Sequence, residues 1–183
     1  MCRPTRCDDL AAPRHTVNMG IAMQLTNICR DITEDAAAGR RNMPASMPGN
    51  LNPQLLVDSV AALQPRLPAC IDNLLDTADR YYRSGEAGLA YLPVGARRSI
   101  LVAARVCHAI GTRLRQQGNA YWPGRTVVPR RTRRWVTGRA LLSTPLSPSF
   151  WVPAPQHDAM LHGALTVFLG AEAPPESRHV KRT

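Results

Sequence analysis

From about Asn18 to Ala37 the residues follow a helical period without a break, and no other stretch constrains the chain as much. With Gln24 at the origin of a helical wheel and about 100° per residue, Asn27, Asp31 and Asp35 fall within an arc of roughly 80°. Spacings of three, four and four residues stack these side chains on one helix face. Ile21, Leu25, Ile28 and Ile32 form an apolar stripe immediately beside them, so the polar face borders a core instead of lying wholly in water. Two carboxylates one turn apart at such a border repel each other unless a cation sits between them. Their hard oxygens suit Mg²⁺, which keeps several waters and often bridges to substrate phosphates. Asn27 and Gln24 add neutral oxygen ligands or hydrogen bonds. Arg30 and Arg40 bracket the acids and are placed to contact a diphosphate. A bare DxxxD spacing is most often only a solvated helix face. Asp72 and Asp76 share that spacing but lack the upstream Gln and Asn, and are assigned to a solvent-facing edge.

Around this helix the pattern predicts more helices and no strand. Gly39 ends the first one, and Pro44, Pro48 and Pro53 mark a loop. A short helix is expected over 54–63, and a longer one over about 69–84, stopping near Gly85. Its core face carries Leu67, Ile71, Leu74, Leu75 and Ala78. Another starts near Val94, with Ile100, Leu101, Ala104, Cys107, Ile110 and Leu114 at helical spacing and Gly118 as its C-cap. Residues 119–139 read as an arginine-rich loop plus a short helix. The fold class expected is all-α. Three regions are expected: an atypical segment at 1–16, the main body at 17–139, and a Pro-rich, poorly ordered tail at 140–183. A helical turn or two near 157–169 is the exception within that tail.

Composition narrows the setting. The formal net charge is +10, and Lys181 is the one lysine among 23 basic residues. A basic chain can meet nucleic acid, anionic lipid or phosphorylated substrates, and charge alone does not choose among them. The cysteines at 2, 7, 29, 70 and 107 form no CxxC pair, which suits reduced thiols in the cytoplasm. No apolar run approaches the ~18 residues of a membrane span.

The string GIAMQLTNICRDITEDAAAGRRNMP resembles the second aspartate-rich signature of the phytoene/squalene synthase family. Gly20, Ala22, Gln24, Thr26, Asn27, Ile28, Arg30, Asp31, Glu34, Asp35, Gly39, Arg40 and Pro44 match it, while Asn42 and Met43 replace a usual Tyr and Leu. The segments ADRYYRSGEAGLAYLP (78–93) and AARVCHAIGTRLRQQG resemble two further family stretches, with Cys107 where family members usually carry Tyr. NAYWPGRTVV is similar to the stretch that brings an arginine to a diphosphate, which places Arg125 there. The resemblance covers about residues 20–135.

It implies an all-α isoprenoid synthase that joins two prenyl diphosphates head to head, with geranylgeranyl diphosphate as substrate and carotenoid synthesis as the setting. A squalene-type enzyme acting on the C15 substrate is the alternative. By resemblance, Asp31 and Asp35 ligate Mg²⁺ and are the catalytic acids, Asn27 is a further ligand, Gln24 orients water or substrate, and Arg30, Arg125 and Arg40 bind diphosphate. Tyr81 and Tyr82 are weaker candidates, as ready to be packing aromatics. Cys107 is as ready to be a core thiol as a cavity wall. The family's first aspartate-rich motif stands well upstream of the second and is not found here. A truncated chain, weakly active or inactive without its N-terminal half, is therefore expected. The protein is expected in the cytoplasm, with peripheral contact to the inner membrane as a further expectation. A different class is a basic nucleic-acid-binding or non-catalytic interaction fragment. For it, Arg125, Arg130, Arg131, Arg133, Arg134 and Arg139 would interleave with Tyr121, Trp122 and Trp135. A solvated basic surface is the more economical reading, and nucleic acid is not an expected partner.

Overall fold

The structure, a computed structural model, describes residues 11–44, 52–58, 62, 66–152 and 161. Among these there is no strand, so the all-α expectation holds. Helix α1 spans Ala11–Arg30, α2 Ile32–Ala37, α3 Pro53–Asp58 and α4 Leu67–Ala87. After a 3-10 turn at Leu89–Tyr91 come α5, Val94–Gln116, and α6, Arg130–Ser143. A second 3-10 turn, Thr144–Leu146, leads to the short α7, Pro148–Trp151. None of the helices described is long and apolar enough to cross a membrane.

Helix α1 packs chiefly on α4 and then on α5, and the core lies where the three meet. The face of α4 read from the sequence is the buried one: Leu67, Ile71 and Leu74 are fully buried, with Leu75 and Ala78 nearly so. The four larger ones meet Cys29, Ile32, Leu114 and Tyr121 in one cluster, while Ala78 joins Met19, Tyr81, Tyr82, Ala104 and Cys107 in a second. Each such apolar side chain contributes about 1.5–3 kcal/mol by leaving water. Polar contacts add less. Arg115 spreads its guanidinium over Asp72, Asp76 and Asp79 at 3.0, 2.6 and 2.8 Å, but Asp72 and Asp76 are 52% and 69% exposed. Pairs so solvated are worth about 1 kcal/mol or less. The Asp72–Asp76 edge is thus solvent-facing, as its sequence suggests.

Four boundaries differ from the sequence reading. Helix α1 begins at Ala11, seven residues before the expected start, and passes through Pro13. The helical run breaks at Asp31, which takes φ −103° and ψ 15° between α1 and α2. Gly85 does not stop α4, which continues to Ala87. Its role is close approach: a Cβ there would lie 2.8 Å from the Met19 Cβ, where α1 crosses α4. Beyond residue 139, α6 runs on to Ser143 and Phe150 of α7 is fully buried. Arg97 secures that return. It donates to the carbonyls of Leu92, Phe150 and Ala90 at 2.5, 2.6 and 2.8 Å. The expected turn near 157–169 and the segment 1–10 lie outside the described residues, apart from Leu161, whose carbonyl accepts a hydrogen bond from the Tyr81 hydroxyl.

Candidate active site

The polar face of α1 ends on a pair of carboxylates, each held by arginine. At Asp31, Arg30 donates from Nε to Oδ1 at 2.7 Å and from Nη2 to Oδ2 at 2.5 Å. The Arg125 Nε stands 3.2 Å from the same Oδ1. These hydrogen bonds push the Arg30 guanidinium pKa above its ordinary value. Asp35, one turn on, accepts from Arg40 Nη2 at 3.0 Å and from Asn42 Nδ2 at 2.6 Å. Both carboxylates are mostly screened, with 19% and 16% of their side chains exposed.

Local backbone chemistry explains how residues distant in sequence converge. Asp31 leaves helical geometry, yet its N–H still bonds the Asn27 carbonyl and its own carbonyl accepts from Asp35 N–H. The face therefore bends without losing its ladder. Gly39, at φ +71°, closes α2: its N–H bonds the Ala36 carbonyl and the Arg40 N–H bonds the Asp35 carbonyl. That is a Schellman turn, and it folds Arg40 back over Asp35. The same motif closes α5, with Gly118 at φ +66° and Asn119 N–H bonded to the Leu114 carbonyl. The chain then returns across α2. Thr33 Oγ1 donates to the Tyr121 carbonyl at 2.6 Å, and Gly124 at φ +96° turns the loop so that Arg125 meets Asp31.

Of the residues singled out from sequence, Asp31, Arg30 and Arg125 come together, and Asp35 with Arg40 forms the adjoining pair. Asn27 Oδ1 lies 3.8 Å from the Cys107 thiol, which joins α1 to α5. Gln24 is exposed and makes no hydrogen bond among the described residues. Tyr81 and Tyr82 are 1% and 4% exposed core aromatics, the Tyr82 hydroxyl lying 3.1 Å from Thr26 Oγ1. Tyr121 is also buried, so its ring is not available to stack on a base. Asn42, which the sequence marks only as a departure from the family pattern, is an Asp35 partner. Its amide donor type and its place just after the turning glycine are the signals that could have found it.

The donor set tests the fit of a metal. No group of three or more His, Cys, Asp or Glu converges among the described residues. The oxygens of Asp31, Asp35 and Asn27 are hard donors, and Mg²⁺ is commonly held by one or two carboxylates together with substrate phosphates. An oxygen set completed by an anionic ligand fits that ion.

Residues 3–133 match the squalene/phytoene synthase family model. A 15-cis-phytoene synthase of Enterobacter agglomerans is 35% identical over 154 residues, covering 78% of this chain and 52% of the relative. A 15-cis-phytoene synthase of a Paracoccus species is 41% identical over 101 residues, covering 55% of this chain and 32% of the relative. A phytoene synthase of Cereibacter sphaeroides is 32% identical over 151 residues, covering 81% of this chain and 42% of the relative. The chain thus spans about half, or less, of the length of these relatives. No solved structure matches it. With the aspartate-rich face, its arginine partners and a family match over most of the sequence all in agreement, this chain belongs to the squalene/phytoene synthase family.

Proposed function

We propose that the chain carries the second diphosphate-binding half of a phytoene synthase-like prenyltransferase, acting on geranylgeranyl diphosphate in carotenoid synthesis. The observation that carries this reading is the convergence of Arg30 and Arg125 on Asp31, with Asp35, Arg40 and Asn42 one turn away. Guanidinium groups that hold a carboxylate in a fork present the same fork to a phosphate oxygen. Arg30 and Arg125 bind and orient the diphosphate, and Arg40, 63% exposed, closes on it from the rim. Asp31, Asp35 and Asn27 would hold Mg²⁺, which when bound offsets the charge that develops on a departing diphosphate. The partly buried Met23 and Leu25, beside the buried Cys107, present apolar surface that excludes water from the prenyl chain.

The test is binding of geranylgeranyl diphosphate to Asp31→Asn with Mg²⁺ and with EDTA. In Mg²⁺ the affinity falls by about tenfold or more, as expected when a metal's oxygen set is disturbed. In EDTA it is unchanged or slightly tighter, because Arg30 and Arg125 lose a competing partner. An equal loss in both conditions would remove the metal from the reading.

A further inference from the structure

A cavity of about 630 Å³ opens between α5 and α6, within the roughly 300–1,000 Å³ of small-molecule sites. On α5 it is lined by residues 105, 108, 109, 112, 113 and 116. At about 100° per residue these centre on the side of α5 opposite Cys107, the residue that meets α1. The cavity is therefore separate from the aspartate face. Its α6 wall is one helical stripe, running from Thr132 through Val136 and Arg139 to Ser143. The buried Val128 and Ala140 form an apolar floor, and the Trp135 ring, 62% exposed, forms an edge. Four basic side chains border this space, and α4 neutralises two of them. Arg105 Nη2 donates to Glu86 Oε2 at 2.7 Å, and His108 Nε2 lies 2.9 Å from Asp79 Oδ1. Arg113 and Arg139 have no ion-pair partner among the described residues. Arg139 lies instead over the Trp135 ring, 5.3 Å from its centre. The sequence holds no acidic residue between Glu86 and Asp158, so neither wall of the cavity nor the loop between them can supply one.

We infer that this cavity is a second ligand site, which takes a small organic phosphomonoester with an apolar body. Two guanidinium groups without a counter-charge call for a compact dianion, and a phosphomonoester is close to one at neutral pH. Each guanidinium presents a fork of N–H donors that suits a pair of phosphate oxygens. The hydroxyls of Thr112, Thr132 and Ser143, all in the lining, are donors for the remaining lone pairs. The floor of Val128 and Ala140 and the Trp135 ring then favour a ligand whose phosphate carries an apolar or aromatic group, because a bare ion leaves that surface in water. A nucleic-acid backbone fits less well. It offers single charges spread along a strand, whereas the two free cations and the apolar floor belong to one cavity.

The experiment is isothermal titration calorimetry of the full chain, in EDTA, with phenyl phosphate, inorganic phosphate and phenol. Phenyl phosphate is expected to bind about tenfold or more tighter than inorganic phosphate, through the ring it buries. Phenol, without the charge, gives no detectable heat. The double variant Arg113→Gln, Arg139→Gln loses about tenfold or more in affinity for phenyl phosphate. The double variant Arg130→Gln, Arg131→Gln removes the same charge outside the cavity and changes that affinity by about twofold or less. A second readout needs no arginine variant: phenyl phosphate alters the tryptophan emission of the unmodified chain, and Trp135→Phe abolishes the change. Equal affinity for phenyl phosphate and inorganic phosphate overturns the proposal, as does the absence of binding by either. Equal losses in the two arginine variants would reduce the effect to diffuse surface charge and overturn it too. An emission change that persists in Trp135→Phe would place the ligand elsewhere.

Discussion

Burial pushes the Cys29 thiol up to about 12 from its ordinary 9.0, against a smaller pull from Arg115. In the native state the proton stays on where the unfolded chain would release it. The stability this contributes is fully present below pH 9.0 and is lost as pH rises from 9.0 towards about 12. The slope is about 1.4 kcal/mol per pH unit. Tyr82, also raised by burial, adds a loss of the same sign only above its ordinary value of 10.0. Urea unfolding between pH 9.0 and 10.0 isolates the cysteine: Cys29→Ala is less stable at neutral pH but lacks the extra slope. A parallel decline in both proteins would put the proton elsewhere. At this scale the sequence was most legible where side chains repeat on one helix. Asp31 and Asp35 stand out by spacing and chemistry alone. Their partners do not, because Arg125 and Asn42 reach them only through turns whose φ values are no part of a helical period.

Helix crossings depend on what the facing residues allow. Gly85 lies where a side-chain Cβ would come 2.8 Å from the Met19 Cβ and 2.9 Å from its Cα, so neither chain can yield by a rotamer change alone. Gly85→Ala should destabilise by about 1–3 kcal/mol, the range for overpacking in a filled interior. Gly95→Ala, where nothing lies within 4 Å of the added carbon, should be neutral or slightly stabilising. Paired thermal melts check this, and equal effects of the two would deny the tight crossing. Elements were readable from the sequence in kind and mostly in extent. Gly39 and Gly118 both close helices as their positions suggest, whereas Gly85, near which a stop is expected, lies inside α4. A glycine that permits a left-handed turn and one that permits contact look alike until the partner helix is known. The bend at Asp31 was equally hidden, since its hydrogen-bond ladder runs through it and leaves no break in the pattern.

Across the molecule, Arg97 ties together segments distant in sequence. Its three bonds to backbone carbonyls, with its guanidinium 5.6 Å from the centre of the Phe150 ring, join the α4–α5 connection to α7. Arg97→Ala should cost about 2 kcal/mol or more, because partly buried carbonyls lose a charged donor. Faster amide exchange confined to residues 89–92 and 148–152 would show the release. Unchanged exchange there would mean that Phe150 packing alone holds α7. The fold class was legible because four helical segments carry clear apolar faces. The docking of α7 was not, because it depends on one arginine reaching 53 residues along the chain. The tail reads as Pro-rich, and Pro148 opens a helix within it.

The carboxylate–arginine pairs have an electrostatic consequence for the order in which ligands arrive. Three guanidinium groups, of Arg30, Arg40 and Arg125, are paired with the carboxylates of Asp31 and Asp35, and Glu34 adds a further negative charge beside Arg30. A lone divalent cation would have to prise apart each ion pair to reach the carboxylate oxygens. A diphosphate that engaged the arginines would free carboxylate oxygens for the ion it carries. On the proposed reading, such a site would favour the chelate over either component, which is the property the Mg²⁺ and EDTA comparison of Asp31→Asn probes.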